Sequence, residues 1–206
     1  LLPLGGESTF DNIVSTFPPH ERPAIEVPNA QILMPGVMFV SSGDSSTNAV
    51  LRVLFVCTGN TCRSPMAETL FRKLVAEKLA CRDWELRERR IDVFSAGLAA
   101  GENEPASREA AQIMQEFGLD LSQHLSQRVT DHMLDSSTLV LALTERHRRA
   151  LAESRPDLAD RIKLLARNGD DIADPIGGSL EDYRYCAAQI VENIRAWVDE
   201  LFRKET

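Results

Sequence analysis

Val53-Leu54-Phe55-Val56-Cys57-Thr58-Gly59-Asn60-Thr61-Cys62-Arg63-Ser64-Pro65 runs from an unbroken apolar stretch through a short polar loop into a helical pattern. Four consecutive apolar residues suit a strand buried on both faces, and Met66, Leu70 and Leu74 follow at helical spacing. A strand that ends in a tight turn and feeds a helix directs successive backbone N–H groups into one concavity, where the helix N-terminus adds positive potential. The stretch predicts an α/β fold and an anion site beyond the C-terminal end of its strand.

A thiol and a guanidinium stand six positions apart in that loop, at Cys57 and Arg63. A thiol at its ordinary pKa near 8.5 is mostly protonated at neutral pH, so a nucleophilic cysteine needs surroundings that favour the thiolate. The loop amides, the helix end and Arg63 are three such features. The planar fork of Arg63 can also hold two phosphoryl oxygens at once. Ser64, beside the start of the helix, either donates to the thiolate or caps the first turn. Gly59 and Asn60 are residue types that tolerate the positive φ an inward-curling loop needs, and Pro65 suits a first helical turn. Cys62 is read two ways, as a small residue packed behind the loop or as the partner of Cys57 in a reversible disulfide.

Far along the chain, Asp174 precedes Pro175, which stiffens the backbone and fixes where the carboxyl points. Expelling a poor leaving group demands a proton, and the returning attack by water demands its removal, so one carboxyl can serve both steps. Asp170 and Asp171 read as a solvated acidic turn.

Further outward, apolar runs at 53–56, 91–94, 139–143 and 162–165 alternate with helical patterns, the last carrying Leu180, Tyr183, Ile190, Ile194, Trp197 and Leu201 on one face. The expected fold is α/β: an open four-stranded parallel sheet with helices on both faces, Rossmann-like. The length of 206 residues suits one domain with additions, and a hydrophobic share of 43% suffices for a core. A net charge of −8 argues against general nucleic-acid binding and requires the anion site to be positive only locally. No apolar run approaches the length of a membrane span. Two of the four cysteines lie in the loop, a pattern that fits a reducing compartment, and the expectation is cytoplasmic. His20, His124, His132 and His147 show no ligand spacing, so surface or core positions are expected for all four and no metal or other cofactor is called for. Residues 82–90 alternate in charge and read as a solvated helix end and loop.

Residues 1–50 differ in composition. Prolines at 3, 18, 19, 23, 28 and 35 and the polar stretch 41–48 read as a linker-like or partly disordered N-terminal extension. The segments 24–27 and 32–37 faintly resemble the end of a threonylcarbamoyl-adenylate synthase domain, which would make the extension the tail of a fused domain. Residues 51–206 are then the catalytic domain.

From about Leu51 onward the chain resembles the low-molecular-weight protein phosphatases, on the run Cys57 to Glu68, on Ser95-Ala96-Gly97, on Leu139 to Leu143, and on Asp174-Pro175 followed by Gly177-Gly178-Ser179. The resemblance implies the phosphotyrosine phosphatase I type of fold and a two-step mechanism. Cys57 would take the phosphoryl group as a phosphocysteine, Arg63 and the loop of Thr58, Gly59, Asn60, Thr61, Cys62 and Ser64 would hold its oxygens, and Asp174 would act as acid and then base. Phosphorylated proteins would be the partners. Members acting on phosphotyrosine usually carry a bulkier aliphatic residue at the position of Thr61, whereas the protein-arginine phosphatase branch resembles this chain in having threonine. A threonine hydroxyl can accept from a guanidinium N–H that isoleucine would leave unpaired. Ile176 also stands where tyrosine-directed members place an aromatic ring, making a narrower aliphatic wall. The expected activity is hydrolysis of phosphoarginine on proteins. A protein-tyrosine phosphatase is the alternative, followed by a phosphate-binding module without turnover; arsenate reduction fits less well, because Cys81 and Cys186 form no close redox pair. One departure from the family pattern is Thr138, where many members carry an acidic residue before the third strand.

Overall fold

The computed structural model describes residues 50–203. The expected N-terminal extension falls almost wholly outside the described residues. Strand β1 spans Leu51–Cys57, β2 Ile91–Gly97, β3 Leu139–Ala142 and β4 Ile162–Leu164. Helix α1 spans Arg63–Lys78, α2 Arg108–Glu116, α3 Asp131–Ser136, α4 Glu145–Ser154 and α5 Leu180–Leu201. The four strands form one sheet in the order β2-β1-β3-β4, and every neighbouring pair is parallel.

Residue alternation along β1 sorts the core into two layers. Val53, Phe55 and Cys57 face a cluster built with Met66, Leu70 and Phe71 of α1, Ile113 and Met114 of α2, and Ile190, Ile194 and Trp197 of α5. Leu54 and Val56 face the opposite cluster, with Leu134 of α3 and Leu151 of α4. Helices thus cover both faces, as the unbroken apolar strands require. Phe55 meets Phe71 edge to face at 5.5 Å, and Trp197 donates its indole N–H to the Leu165 carbonyl at 2.9 Å. Side-chain hydroxyls start four of the five helices: Ser107, Thr130, Thr144 and Ser179 each accept from a first-turn N–H. Such caps are worth about 1 kcal/mol each.

The chain leaves β1 for β2 on one side and returns to place β3 on the other, so the strand order reverses beside the C-terminal end of β1. That crevice is where open parallel sheets bind ligands, and Cys57 closes β1 there. Thr138 does more than tolerate its place before β3. Its hydroxyl accepts from the Arg52 N–H at 2.8 Å and donates to the Arg52 carbonyl at 3.0 Å, stapling β3 to the start of β1. The charged stretch 82–90 contains a short 3-10 helix at Asp83–Leu86. Among the described residues no helix is long and apolar enough to cross a membrane.

Candidate active site

The loop between β1 and α1 is held from inside by Asn60, whose φ of 55° is left-handed. Its backbone N–H points at Cys57 Sγ, 3.3 Å away. Its side-chain amide donates to both Ser64 Oγ and Ser95 Oγ at 2.9 Å, and its Oδ1 accepts from the Gln127 N–H at 2.9 Å. Ser64 Oγ lies 3.0 Å from Cys57 Sγ. Because that hydroxyl already accepts from Asn60, its own proton has two acceptors within reach, the sulfur and, farther off at 3.4 Å, the Ala96 carbonyl. The Asn60 N–H and the Ser64 hydroxyl therefore both lie within hydrogen-bond reach of the Cys57 sulfur. Beyond Asn60 the chain of bonds continues, with Ser95 donating to Glu68 Oε2 at 2.7 Å. Burial pushes the Glu68 carboxyl upward in pKa, against the lowering effect of the Ser95 bond and of His124.

Gly97 explains why β2 can approach this loop. A Cβ there would sit 2.5 Å from the Thr58 carbonyl oxygen and 3.0 Å from the Asn60 nitrogen. Only glycine lets the loop close against the strand end.

Arg63 lies in the first turn of α1 with its side chain only 6% exposed. Its guanidinium donates to the Ile172 carbonyl at 3.3 Å and to Asp174 Oδ2 at 2.5 Å. Ile172 is itself tied to the end of β3 by its N–H bond to Leu143 O at 2.9 Å. The residue after the acid, Pro175, is buried. The loop carrying Asp174 is thus pinned on both sides of the carboxyl, and the distant acid meets the phosphate-loop arginine directly. Asp174 is 48% exposed at its side chain, so one face of the pair opens to solvent.

A buried thiol met by the Asn60 N–H, one buried guanidinium and an opposed, half-exposed carboxylate are equipped for phosphoryl transfer. A match to the family described as low molecular weight phosphotyrosine protein phosphatase covers residues 52–206. The chain belongs to this family. The protein-arginine-phosphatases of Bacillus subtilis and Geobacillus stearothermophilus are 34% and 36% identical to it, over 72% and 74% of this chain and 95% of each of theirs. The tyrosine phosphatase PtpB of Staphylococcus haemolyticus is 30% identical, over 68% of this chain and 93% of its own. A solved arginine phosphatase mutant with a phosphorylated active-site serine superposes with a TM-score of 0.65 at 33% identity, covering 75% of this chain and 98% of that one.

This low-molecular-weight phosphatase departs from the sequence reading at several side chains. Gly59 does not have positive φ; Asn60 alone supplies the left-handed turn of the loop, because its side chain bonds locally where glycine has none. Ser64 does not cap α1, whose N-cap position carries no side-chain bond; its hydroxyl turns to the sulfur instead. Asp171 is more than a solvated turn residue, since its carboxylate accepts from the Glu145 N–H at 2.6 Å and caps α4. Ile176 forms no packed wall: it is 68% exposed, and its N–H bonds Asp174 Oδ1 at 3.3 Å. Cys62 is a buried free thiol that donates to Ser107 Oγ at 3.3 Å and lies 3.4 Å from the Tyr183 hydroxyl. Thr61 is half-buried, and the one side-chain hydrogen-bonding neighbour of its hydroxyl among the described residues is Cys62 Sγ at 3.7 Å.

Two histidines expected at indifferent positions touch the loop. His124 Nε2 lies 2.7 Å from the Asn60 carbonyl oxygen, and His147 Nε2 lies 2.9 Å from Thr58 Oγ1. Their separation of 64 and 89 residues from those partners leaves no local signal; only the folded topology joins them. Glu68, His124 and Gln127 also line a cleft of about 720 Å³ behind the loop. No group of three or more His, Cys, Asp or Glu side chains among the described residues is arranged to hold a metal ion.

Proposed function

We propose that this low-molecular-weight phosphatase hydrolyses phosphoarginine on proteins. In the first step the Cys57 sulfur attacks phosphorus, forming an S–P bond as the P–N bond breaks, while Asp174 delivers a proton to the departing guanidine nitrogen. Arg63 and the loop N–H groups hold the equatorial oxygens, whose charge grows in the transition state. In the second step water attacks the phosphocysteine, Asp174 takes the water's proton, and inorganic phosphate leaves with the thiolate restored. Ser64 steadies that thiolate as the leaving group. The related arginine phosphatase with a phosphorylated serine at its active site supports a covalent phospho-enzyme.

The observation that carries the substrate class is Thr61. Its hydroxyl, with only a long sulfur contact to occupy it, is an acceptor available to a guanidinium N–H. An aliphatic side chain there would strand that donor, which costs about 1–3 kcal/mol. The half-exposed carboxyl of Asp174 offers the same cation a second acceptor through the oxygen that does not carry the transferred proton, and the residue after Asp174-Pro175 is an exposed isoleucine and not an aromatic ring suited to a phenol. The naming of the 34% and 36% identical relatives as protein-arginine-phosphatases agrees with this reading. A thiol nucleophile works in a reducing compartment, so the reading carries a cytoplasmic setting with it.

The test compares kcat/KM on phosphoarginine and phosphotyrosine peptides for the wild type and Thr61→Ile. The wild type is expected to favour phosphoarginine at least tenfold, and the variant to move preference toward phosphotyrosine. A wild-type preference for phosphotyrosine of tenfold, about 1.4 kcal/mol in transition-state terms, would make the protein a tyrosine phosphatase. Failure to trap a phosphocysteine on Cys57 with either peptide would leave a phosphate-binding module.

A further inference from the structure

We propose that His147 is a positioning residue, holding the Thr58 hydroxyl at the mouth of the phosphate loop as an acceptor for the guanidinium of the substrate. The inference rests on the phosphoarginine reading above and adds a second selectivity element to it.

Thr58 follows the candidate nucleophile directly, and it is exposed where Cys57 and Asn60 on either side of Gly59 are buried. An exposed threonine ordinarily spins among rotamers. Here Oγ1 is fixed 2.9 Å from His147 Nε2. The imidazole is 4% exposed, and its other nitrogen lies 2.8 Å from Thr144 Oγ1. Thr144 is in turn locked as the N-cap of α4, where it accepts the His147 backbone N–H at 3.3 Å. The result is a three-member chain, Thr144–His147–Thr58, that begins in a helix cap and ends at the edge of the site.

The proton inventory of that chain decides what Thr58 can offer. A neutral imidazole has one N–H and one lone pair. Burial first, then the charge of Arg63, pushes the His147 pKa down to about 4, with Arg146 acting the same way and Asp171 and Asp174 opposing, so the ring is neutral through the physiological range. In one arrangement Nδ1–H donates to Thr144 and the Thr58 O–H donates to Nε2, which leaves the Thr58 oxygen lone pairs facing outward. In the other, every proton is reversed and Thr58 presents its O–H. A substrate bearing guanidinium N–H groups selects the first arrangement by binding it better. A phenol ring has no donor to place there and gains nothing from it. Thr58 therefore contributes to the discrimination between the two substrates, and His147 contributes through Thr58.

The experiment measures kcat and KM on matched phosphoarginine and phosphotyrosine peptides for Thr58→Val, Thr58→Ser, His147→Phe and the Thr58→Val/His147→Phe double variant. The ratio of kcat/KM for phosphoarginine over phosphotyrosine is expected to fall about tenfold in Thr58→Val, chiefly through KM, and to recover to within about threefold of wild type in Thr58→Ser. His147→Phe should reproduce the Thr58→Val loss, and the double variant should add little to it, because the two residues act as one unit. Should His147→Phe not fold, His147→Ala, which also removes both ring hydrogen bonds, replaces it in the cycle, while His147→Gln, which retains a donor and an acceptor, should keep the phosphoarginine preference near that of the wild type. Equal losses on both peptides, or additive losses in the double variant, overturn the proposal. A wild type that prefers phosphotyrosine overturns instead the substrate reading beneath it, and that result is visible before any variant is compared.

Discussion

Asn60 carries the phosphate loop in a way its residue type only half announces. Its left-handed φ of 55° is one that asparagine tolerates better than most side chains. Its side chain then makes three hydrogen bonds, to Ser64, Ser95 and the Gln127 backbone. Replacing it with alanine removes all three and leaves a β-carbon in a disfavoured conformation. At about 1 kcal/mol per bond and a further 1 kcal/mol or so for the backbone, Asn60→Ala should cost about 3–4 kcal/mol, read from the urea midpoint. It should also lower kcat on the order of a hundredfold, because Ser64 would lose the bond that orients its hydroxyl beside the sulfur. Asn60→Gly, which relieves the φ cost alone, should recover only about 1 kcal/mol of the stability; full recovery would show that the network contributes nothing. At this scale Cys57, Arg63 and Asp174 stand out in the sequence by residue type and order, and the fold brings Arg63 and Asp174 into contact. The sequence was blind to Glu68, His124 and His147, since a glutamate within a helix pattern or a histidine 64 or 89 residues away gains meaning only from its neighbour in space. Gly59 and Asn60 looked interchangeable as turn residues, and the structure separates them because only asparagine has an amide to spend on Ser64 and Ser95.

Strand β2 and the loop after β1 are built to touch, and Gly97 is the point of contact. An added methyl would meet the Thr58 carbonyl oxygen at 2.5 Å, with Ala100 and the Asn60 nitrogen each 3.0 Å away. Backbone cannot yield there as a flexible side chain would. Gly97→Ala should therefore destabilise the domain by about 1–3 kcal/mol through overpacking and reduce kcat more than tenfold by pushing the loop off its donors. Differential scanning calorimetry alongside steady-state kinetics checks both arms, and an unchanged kcat would show that the loop does not depend on this contact. The elements themselves were well marked in the sequence. The apolar runs became the four strands, Met66, Leu70 and Leu74 fall within α1, and the apolar face from Leu180 to Leu201 matches the span of α5. What the pattern could not give was the order β2-β1-β3-β4, since strand order follows from how crossover connections pack and not from any run of residues. Helix α3, six residues long, was too short to show a period.

For the whole molecule, an acidic chain must admit an anion. The net charge of −8 spreads a repulsive field around a site whose buried cation is Arg63. Raising ionic strength from about 0.02 to 0.15 M shortens the screening length to roughly 8 Å, which mutes the distant charges while leaving contacts inside the site. The value of kcat/KM for a phosphorylated peptide of net negative charge should then rise about two- to threefold, opposite to the fall seen when attraction steers a substrate in. Stopped-flow or initial-rate measurements across that range check the sign, and a decline would mean that the local field of the loop outweighs the rest of the surface. The contact between Arg63 and Asp174 bears on the same problem. At rest, the guanidinium is not vacant but occupied by a carboxylate tethered to the same chain, a competitor whose effective concentration no free ion in a cell matches. A phosphate or sulfate that takes this donor must displace the carboxylate, whereas a phosphorylated protein, on the mechanism proposed above, brings a leaving group on which the displaced carboxyl can act. On that reading the acid that serves the reaction also stands sentry over the guanidinium before the substrate arrives.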